Sequence, residues 1–128
     1  MRSAPTPDAD PTTQREVIDA FFAASRDGDF DGLVALLDPD VVVTADLGGG
    51  QSQEVRGLEL VSKQAWGYAR MGLDMRPALV NGAPGAVVLR DGELFSIAGV
   101  TVRNGKIAEM VFMADPERLR RIDLSAIA

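Results

Sequence analysis

The chain has 128 residues, 46% of them hydrophobic and 25% charged, with a formal net charge of -6. That length makes a single domain able to bury roughly two-thirds of its unfolded surface, and the acidic balance disfavours a free-standing nucleic-acid binder. It contains neither cysteine nor histidine, which excludes disulfides, thiol nucleophiles, thiolate zinc sites and any histidine base or ligand.

No metal or cofactor is expected. No apolar run reaches membrane-spanning length, and residues 1–15 lack the apolar core of a signal peptide, so a cytoplasmic protein without a membrane partner is expected.

Residues 1–11 hold Pro5, Pro7 and Pro11 among small polar residues, the composition of a flexible leader or the tail of an interdomain linker; residues 12–128 are expected to form the folded domain. Asp10-Pro11 suits a helix start, with Asp10 as N-cap and Pro11 in the first turn. Thr13 with Glu16 three residues later is a rival capping box. Val17, Ile18, Phe21, Phe22 and Ala24 form the apolar stripe, and Gly28 stops the helix. A second helix is predicted from about Phe30 to Leu37, capped by Asp29 and ended by Asp38-Pro39.

Val41-Val42-Val43-Thr44-Ala45 is β-branched and reads as a strand. Asp46-Leu47-Gly48-Gly49-Gly50-Gln51 is expected to break it as a loop or sharp turn. A third helix is predicted over roughly Leu58 to Met71, then a strand from Asp74 to Asn81, which Pro77 confines to an edge or bulge. Asn81-Gly82, Asp91-Gly92 and Asn104-Gly105 are hairpin signals, because type I′ turns need residues that tolerate positive φ.

They delimit a meander from Gly85 to Ala114. The two-residue turns fix its register, so that one face carries Val87, Leu89, Leu94, Ser96, Ala98, Val100, Val102, Ile107, Glu109, Val111 and Met113. The other carries Ala86, Val88, Phe95, Ile97, Gly99, Thr101, Ala108, Met110, Phe112 and Ala114. Both faces are apolar, so each needs a cover. Asp115-Pro116 opens a last short helix to about Ile122. Helices gathered on one side of an antiparallel sheet make an α+β fold, here a curved, mostly antiparallel sheet packed on three helices as a cone.

Several phrases resemble a known family. The run from Arg15 to Phe30 and the following Leu37-Asp38-Pro39-Asp40-Val41-Val42 are similar to a SnoaL-like domain, a member of the nuclear-transport-factor-2-like cone folds. More narrowly, the chain resembles the C-terminal extension of a group of extracytoplasmic-function sigma factors. Four features carry that match: Pro7-Asp8-Ala9-Asp10, similar to the joint after the sigma regions; Asp46-Leu47-Gly48-Gly49-Gly50, similar to an Asp-Gly-Gly-Gly motif; the strand phrases Pro77 to Gly82 and Arg103 to Glu109; and Ala114-Asp115-Pro116-Glu117-Arg118-Leu119, similar to an Asn-Pro-Asp-Lys-Leu motif. Leu47 interrupts the first motif, and Ala114-Asp115 stands where the second usually has Asn. The similarity covers about residues 7–124. The sigma regions themselves have no counterpart in these 128 residues, which leaves an excised domain or a stand-alone relative.

The resemblance implies a non-catalytic regulatory domain that modulates transcription initiation through protein–protein contact. Its partners would be the sigma regions and, through them, RNA polymerase, with no direct nucleic-acid contact. Its candidate interface is Asp46, Gly48, Gly49, Gly50, Asp115, Pro116, Glu117, Arg118 and Leu119. Each motif has a plainer account, the triglycine as a solvent loop and Asp115-Pro116 as a helix cap.

The alternative is a stand-alone small-molecule-binding protein or an isomerase/cyclase-type enzyme. Asp46, Asp74 or Glu109 would then be the base and Tyr68 the donor, although the Asp–His pairing of SnoaL-like cyclases has no histidine here. Trp66, Tyr68, Phe95, Ile97, Met110 and Phe112 are the expected lining of a pocket for a small apolar ligand. Association of two copies through the sheet would compete for the same apolar surface.

Overall fold

The computed structural model describes residues 11–80 and 83–122. The leader, the Asp10 cap and the Asn81-Gly82 turn lie outside the described residues. Helix α1, Pro11–Asp27, starts at the proline, two residues before the rival Thr13. Its C-terminus closes as a Schellman motif: Asp29 N–H donates to the Ala24 carbonyl at 2.9 Å and Gly28 N–H to Ser25 at 3.4 Å, with Gly28 at φ +69. Helix α2, Phe30–Ala35, begins at once, its Asp29 cap accepting from Gly32 N–H at 2.9 Å.

The chain then enters strand β1, Leu37–Gly48. The helix therefore ends two residues before the expected Leu37. Leu37 pairs with Ile107, and an irregularity before Val42 absorbs Asp38-Pro39. Asp38 accepts from its own loop at Asp40 N–H and pairs with Arg103 at 3.4 Å, tying the strand's start to the meander.

Contrary to expectation, the triglycine segment does not end the sheet at Ala45. Strand β1 runs on to Gly48, turns through Gly49-Gly50 at φ +61 and +78, and returns as β2, Gln51–Arg56. Two consecutive positive-φ residues make a tight hairpin that glycine adopts without steric strain. The polar β2 lies at the sheet edge with little to bury, so its sequence carries no alternation to mark it as a strand.

Helix α3, Leu58–Ala69, crosses to β3, Asp74–Val80, at the opposite edge as Pro77 requires. Strands β4, Ala83–Arg90, β5, Glu93–Arg103, and β6, Lys106–Met113, form the meander, and α4, Pro116–Arg120, closes it. The strand order is β2-β1-β6-β5-β4-β3, antiparallel except where β1 runs parallel to β6.

The faces of the meander differ from those the turns alone would set. A bulge shifts pairing so that Leu89 opposes Leu94 but Val88 opposes Ser96, leaving Phe95 as the extra residue. A second leaves Ala108 extra, with Val102 opposite Ile107 but Thr101 opposite Glu109. Since side chains alternate with period two, one added residue moves everything beyond it to the other face.

Ser96, Ala98 and Val100 therefore share a face with Ala86, Val88, Met110 and Phe112. That face packs on Ile18, Phe21 and Phe22 of α1 and Val61 of α3 as the main core. Ile97 joins Ala78 and Val87 on the opposite face, where Leu119 of α4 covers them. Both faces have a cover, as the apolar pattern demanded, though the second cover reaches one end of the sheet.

Candidate interaction site

The parallel pairing of β1 with β6 brings Asp46 opposite Met113. It thereby joins the two sequence motifs at one end of the sheet. Ala114 N–H donates to the Asp46 carbonyl at 2.8 Å. The Asp46 carboxylate then bridges both motifs: one oxygen accepts from Gly48 N–H at 3.0 Å, and the other accepts from the Arg118 guanidinium at 3.1 Å, across 72 positions of sequence.

Asp115 caps α4 by accepting from Glu117 N–H at 3.1 Å, with Pro116 in the first turn. Its carboxylate lies directly over Gly48, where an added Cβ would sit 2.7 Å away. Gly48, at φ +86, is therefore the glycine of the three that the second motif requires. Gly49 and Gly50 face open space and are required by the hairpin alone.

Glu117, Arg118 and Pro116 are exposed, whereas Leu119 is buried and serves as core. The Gly49-Gly50 turn and the outer side of α4 are therefore exposed side by side, with Asp46, Asp115 and Gly48 holding the two together from beneath.

The enzyme candidates do not converge. Two adjoining cavities of about 70 and 40 Å³ lie between the sheet and the helices, well under the roughly 300 Å³ at which ordinary small-molecule sites begin. Tyr68, Phe112, Met110, Ser96 and Ala65 border both, and Phe95 borders the larger. Tyr68 and Phe112 stack with centroids 6.5 Å apart and planes 4° from parallel. No carboxylate lines either cavity. Asp46 is held by Arg118, and Asp74 sits on edge strand β3 against Arg76 at 2.7 Å. Glu109 alternates with the cavity-lining Met110, so it projects from the opposite face.

Two of the expected lining residues lie elsewhere. Trp66 packs edge-on against Phe30, centroids 5.3 Å apart, on another side of α3. Ile97 was turned to the α4 side by the bulge at Phe95. Gln53 and Gln64 supply polar groups to the larger cavity. Gln53 escaped sequence reasoning because nothing marked β2 as a strand; Gln64 carried no signal beyond its helical position. Among the described residues, no group of three or more acidic side chains is placed to hold a metal ion.

No protein-family model matches the chain. It is 33% identical over 127 residues to the ECF RNA polymerase sigma factor SigJ of Mycobacterium tuberculosis (strain H37Rv), a match covering 87% of this chain and 40% of that protein. The crystal structure of SigJ superposes with a TM-score of 0.66 at 29% identity, covering 83% of this chain and 43% of the other. The chain is thus similar to part of an ECF sigma factor, in keeping with its resemblance to the SnoaL-like domain of that type.

An NTF2-like protein of unknown function from Burkholderia xenovorans LB400 has a TM-score of 0.60 at 19% identity, over 88% of this chain and 94% of that one, a likeness of fold alone. The chain thus has the α+β cone fold seen in NTF2-like structures. It spans about two-fifths of the length of the curated relative it matches. No helix among its described residues is long and apolar enough to cross a membrane.

Proposed function

We propose that this SnoaL-like domain is a non-catalytic regulator, acting in the cytoplasm by contact with sigma regions and so on transcription initiation by RNA polymerase. The observation that carries the reading is the convergence of the triglycine and Asp-Pro-Glu-Arg-Leu motifs into one surface, fastened by Asp46 and Arg118. The two motifs lie far apart in sequence, and the surface they form together is exposed. The relative's description as an ECF sigma factor supplies the partner class.

The net charge of -6 supports contact with protein rather than directly with nucleic acid. The dispersal of Asp46, Asp74, Glu109 and Tyr68 supports a non-catalytic role: Asp74 borders an open cavity of about 270 Å³ that none of the other three lines.

The test is binding of the 128-residue chain to purified sigma regions, with promoter-dependent transcription as the functional readout. Wild-type chain binds and changes the transcription yield. Arg118→Glu weakens binding about tenfold or more, the loss typical of a contact that carries binding energy, while Asp74→Asn on the far edge leaves it unchanged. Absence of binding, or binding indifferent to Arg118→Glu, overturns the reading.

A further inference from the structure

A third cavity, of about 270 Å³, opens between the C-terminal end of α1 and residues 72–75, where the chain enters β3. Strand β3 is the sheet edge opposite β2, so the cavity stands apart from the surface formed by the two motifs. Its volume is several times that of either cavity between sheet and helices. It comes close to the roughly 300 Å³ at which small-molecule sites begin. Phe22, Leu73 and Met75 give it apolar walls, and Ser25, Arg26 and Asp74 are its polar groups.

Ser25 is 6% exposed, and its Oγ is the one buried side-chain polar atom without a hydrogen-bond partner among the described residues. A buried serine in a helix commonly turns back to a carbonyl of the preceding turn, as Ser62 of α3 does to Leu58. Ser25 does not. It follows Phe22 by three positions, so both side chains share the helix face that borders the cavity. Buried hydroxyls are nearly always partnered, and an exception marks a place where another group belongs. A hydroxyl can rotate to donate to a group arriving from the cavity.

The charges decide what that group is. Asp74 is already matched, since one of its oxygens meets both Nε and Nη2 of Arg76, at 2.8 and 2.7 Å. Arg26 is exposed and has no ion pair or hydrogen bond among the described residues. The Ala24 and Ser25 carbonyls, which would oppose an anion at this helix end, are occupied by the Asp29 and Gly28 N–H groups. The unmatched charge of the cavity is therefore a guanidinium, whose planar fork fits a carboxylate or phosphate through two parallel hydrogen bonds. The apolar walls favour an organic acid over inorganic phosphate, because a hydrocarbon body leaves water beside Phe22, Leu73 and Met75.

We propose that the cavity at the end of α1 binds a small monocarboxylic acid with an apolar body. The Arg26 guanidinium and the Ser25 hydroxyl hold its carboxylate, and Phe22, Leu73 and Met75 receive the hydrocarbon part. This site does not rest on the sigma-contact reading.

An NMR amide-shift titration of the 128-residue chain with sodium hexanoate tests it. The expected result is saturable shifts centred on residues 22–26 and 72–75, with a dissociation constant that Arg26→Gln raises about tenfold or more. Hexanamide keeps the body and lacks the charge; it binds wild type at least about tenfold more weakly and does not distinguish the two chains. Inorganic phosphate also binds more weakly than hexanoate. Arg26 is exposed, so its substitution leaves the melting midpoint in place, which separates lost binding from lost fold.

Ser25→Ala gives an independent readout. Without hexanoate it melts at or above the wild-type midpoint, because an unpartnered hydroxyl leaves the interior. With hexanoate it gains less than wild type. The proposal is overturned by absence of saturable shifts, by hexanoate binding indifferent to Arg26→Gln, by phosphate binding as tightly as hexanoate, or by a Ser25→Ala chain that melts well below wild type without the acid.

Discussion

Gly48, Gly49 and Gly50 look equivalent in the sequence and are not equivalent in the structure. All three have positive φ, but only at Gly48 would a side chain strike Asp115. Gly49→Ala should therefore cost about 1 kcal/mol, the strain of placing an L-residue in the left-handed region. Gly48→Ala adds displacement of the Asp115 carboxylate and should cost about 2–3 kcal/mol. Urea denaturation of the two variants measures the difference; equal losses would mean that the Asp115 contact contributes nothing.

The Asp46–Arg118 pair behaves otherwise. Its side chains are 49% and 60% exposed, and a pair that open to water is worth at most about 1 kcal/mol. Arg118→Ala should hardly move the unfolding midpoint, so any large effect of this residue on partner binding belongs to the interface and not to folding.

At the scale of elements, α4 is a short helix with a large burden. Leu119 is the side chain through which it covers Ala78, Val87 and Ile97, so Leu119→Ala should destabilise by about 2–3 kcal/mol. Hydrogen exchange should rise in β4 more than in α1, whose packing lies on the other face.

The same comparison shows what the sequence could reveal. Helices α1 and α3, the cap at Asp29, the edge placement of β3 and the Asp91-Gly92 and Asn104-Gly105 hairpins all follow from local pattern. The bulges at Phe95 and Ala108 do not, because Leu94-Phe95-Ser96 and Ile107-Ala108-Glu109 have the same apolar run whether or not a residue is skipped. That silence is why Ile97 was expected in the cavity and found beneath Leu119. The motif residues were legible one by one. Their meeting was not, since it depends on the parallel register of β1 with β6, which no turn encodes.

For the whole molecule, the cover on the two faces is unequal. The α1 side holds most of the core, with Ile18 and Leu33 essentially inaccessible, and the α4 side is a smaller cluster. Ile18→Ala should cost about 2–5 kcal/mol, a large part of the 5–15 kcal/mol by which a domain is usually stable. Its thermal midpoint should fall by about 3–5 °C for each kcal/mol lost. A calorimetric scan in which Ile18→Ala melts within 2 °C or so of wild type would show that the core lies elsewhere.

The parallel neighbour of β1 has one more consequence, in the order of assembly. Strand β1 is synthesised early, yet its inner partner β6 begins at Lys106. Until then β1 has β2 alone, and a lone hairpin is marginal in water. The sheet therefore closes late and over a long loop, a topology that folds slowly. Asp46 cannot meet Arg118 before that closure. The surface proposed for the partner is consequently absent from a nascent or truncated chain and is displayed only by a molecule that has finished folding.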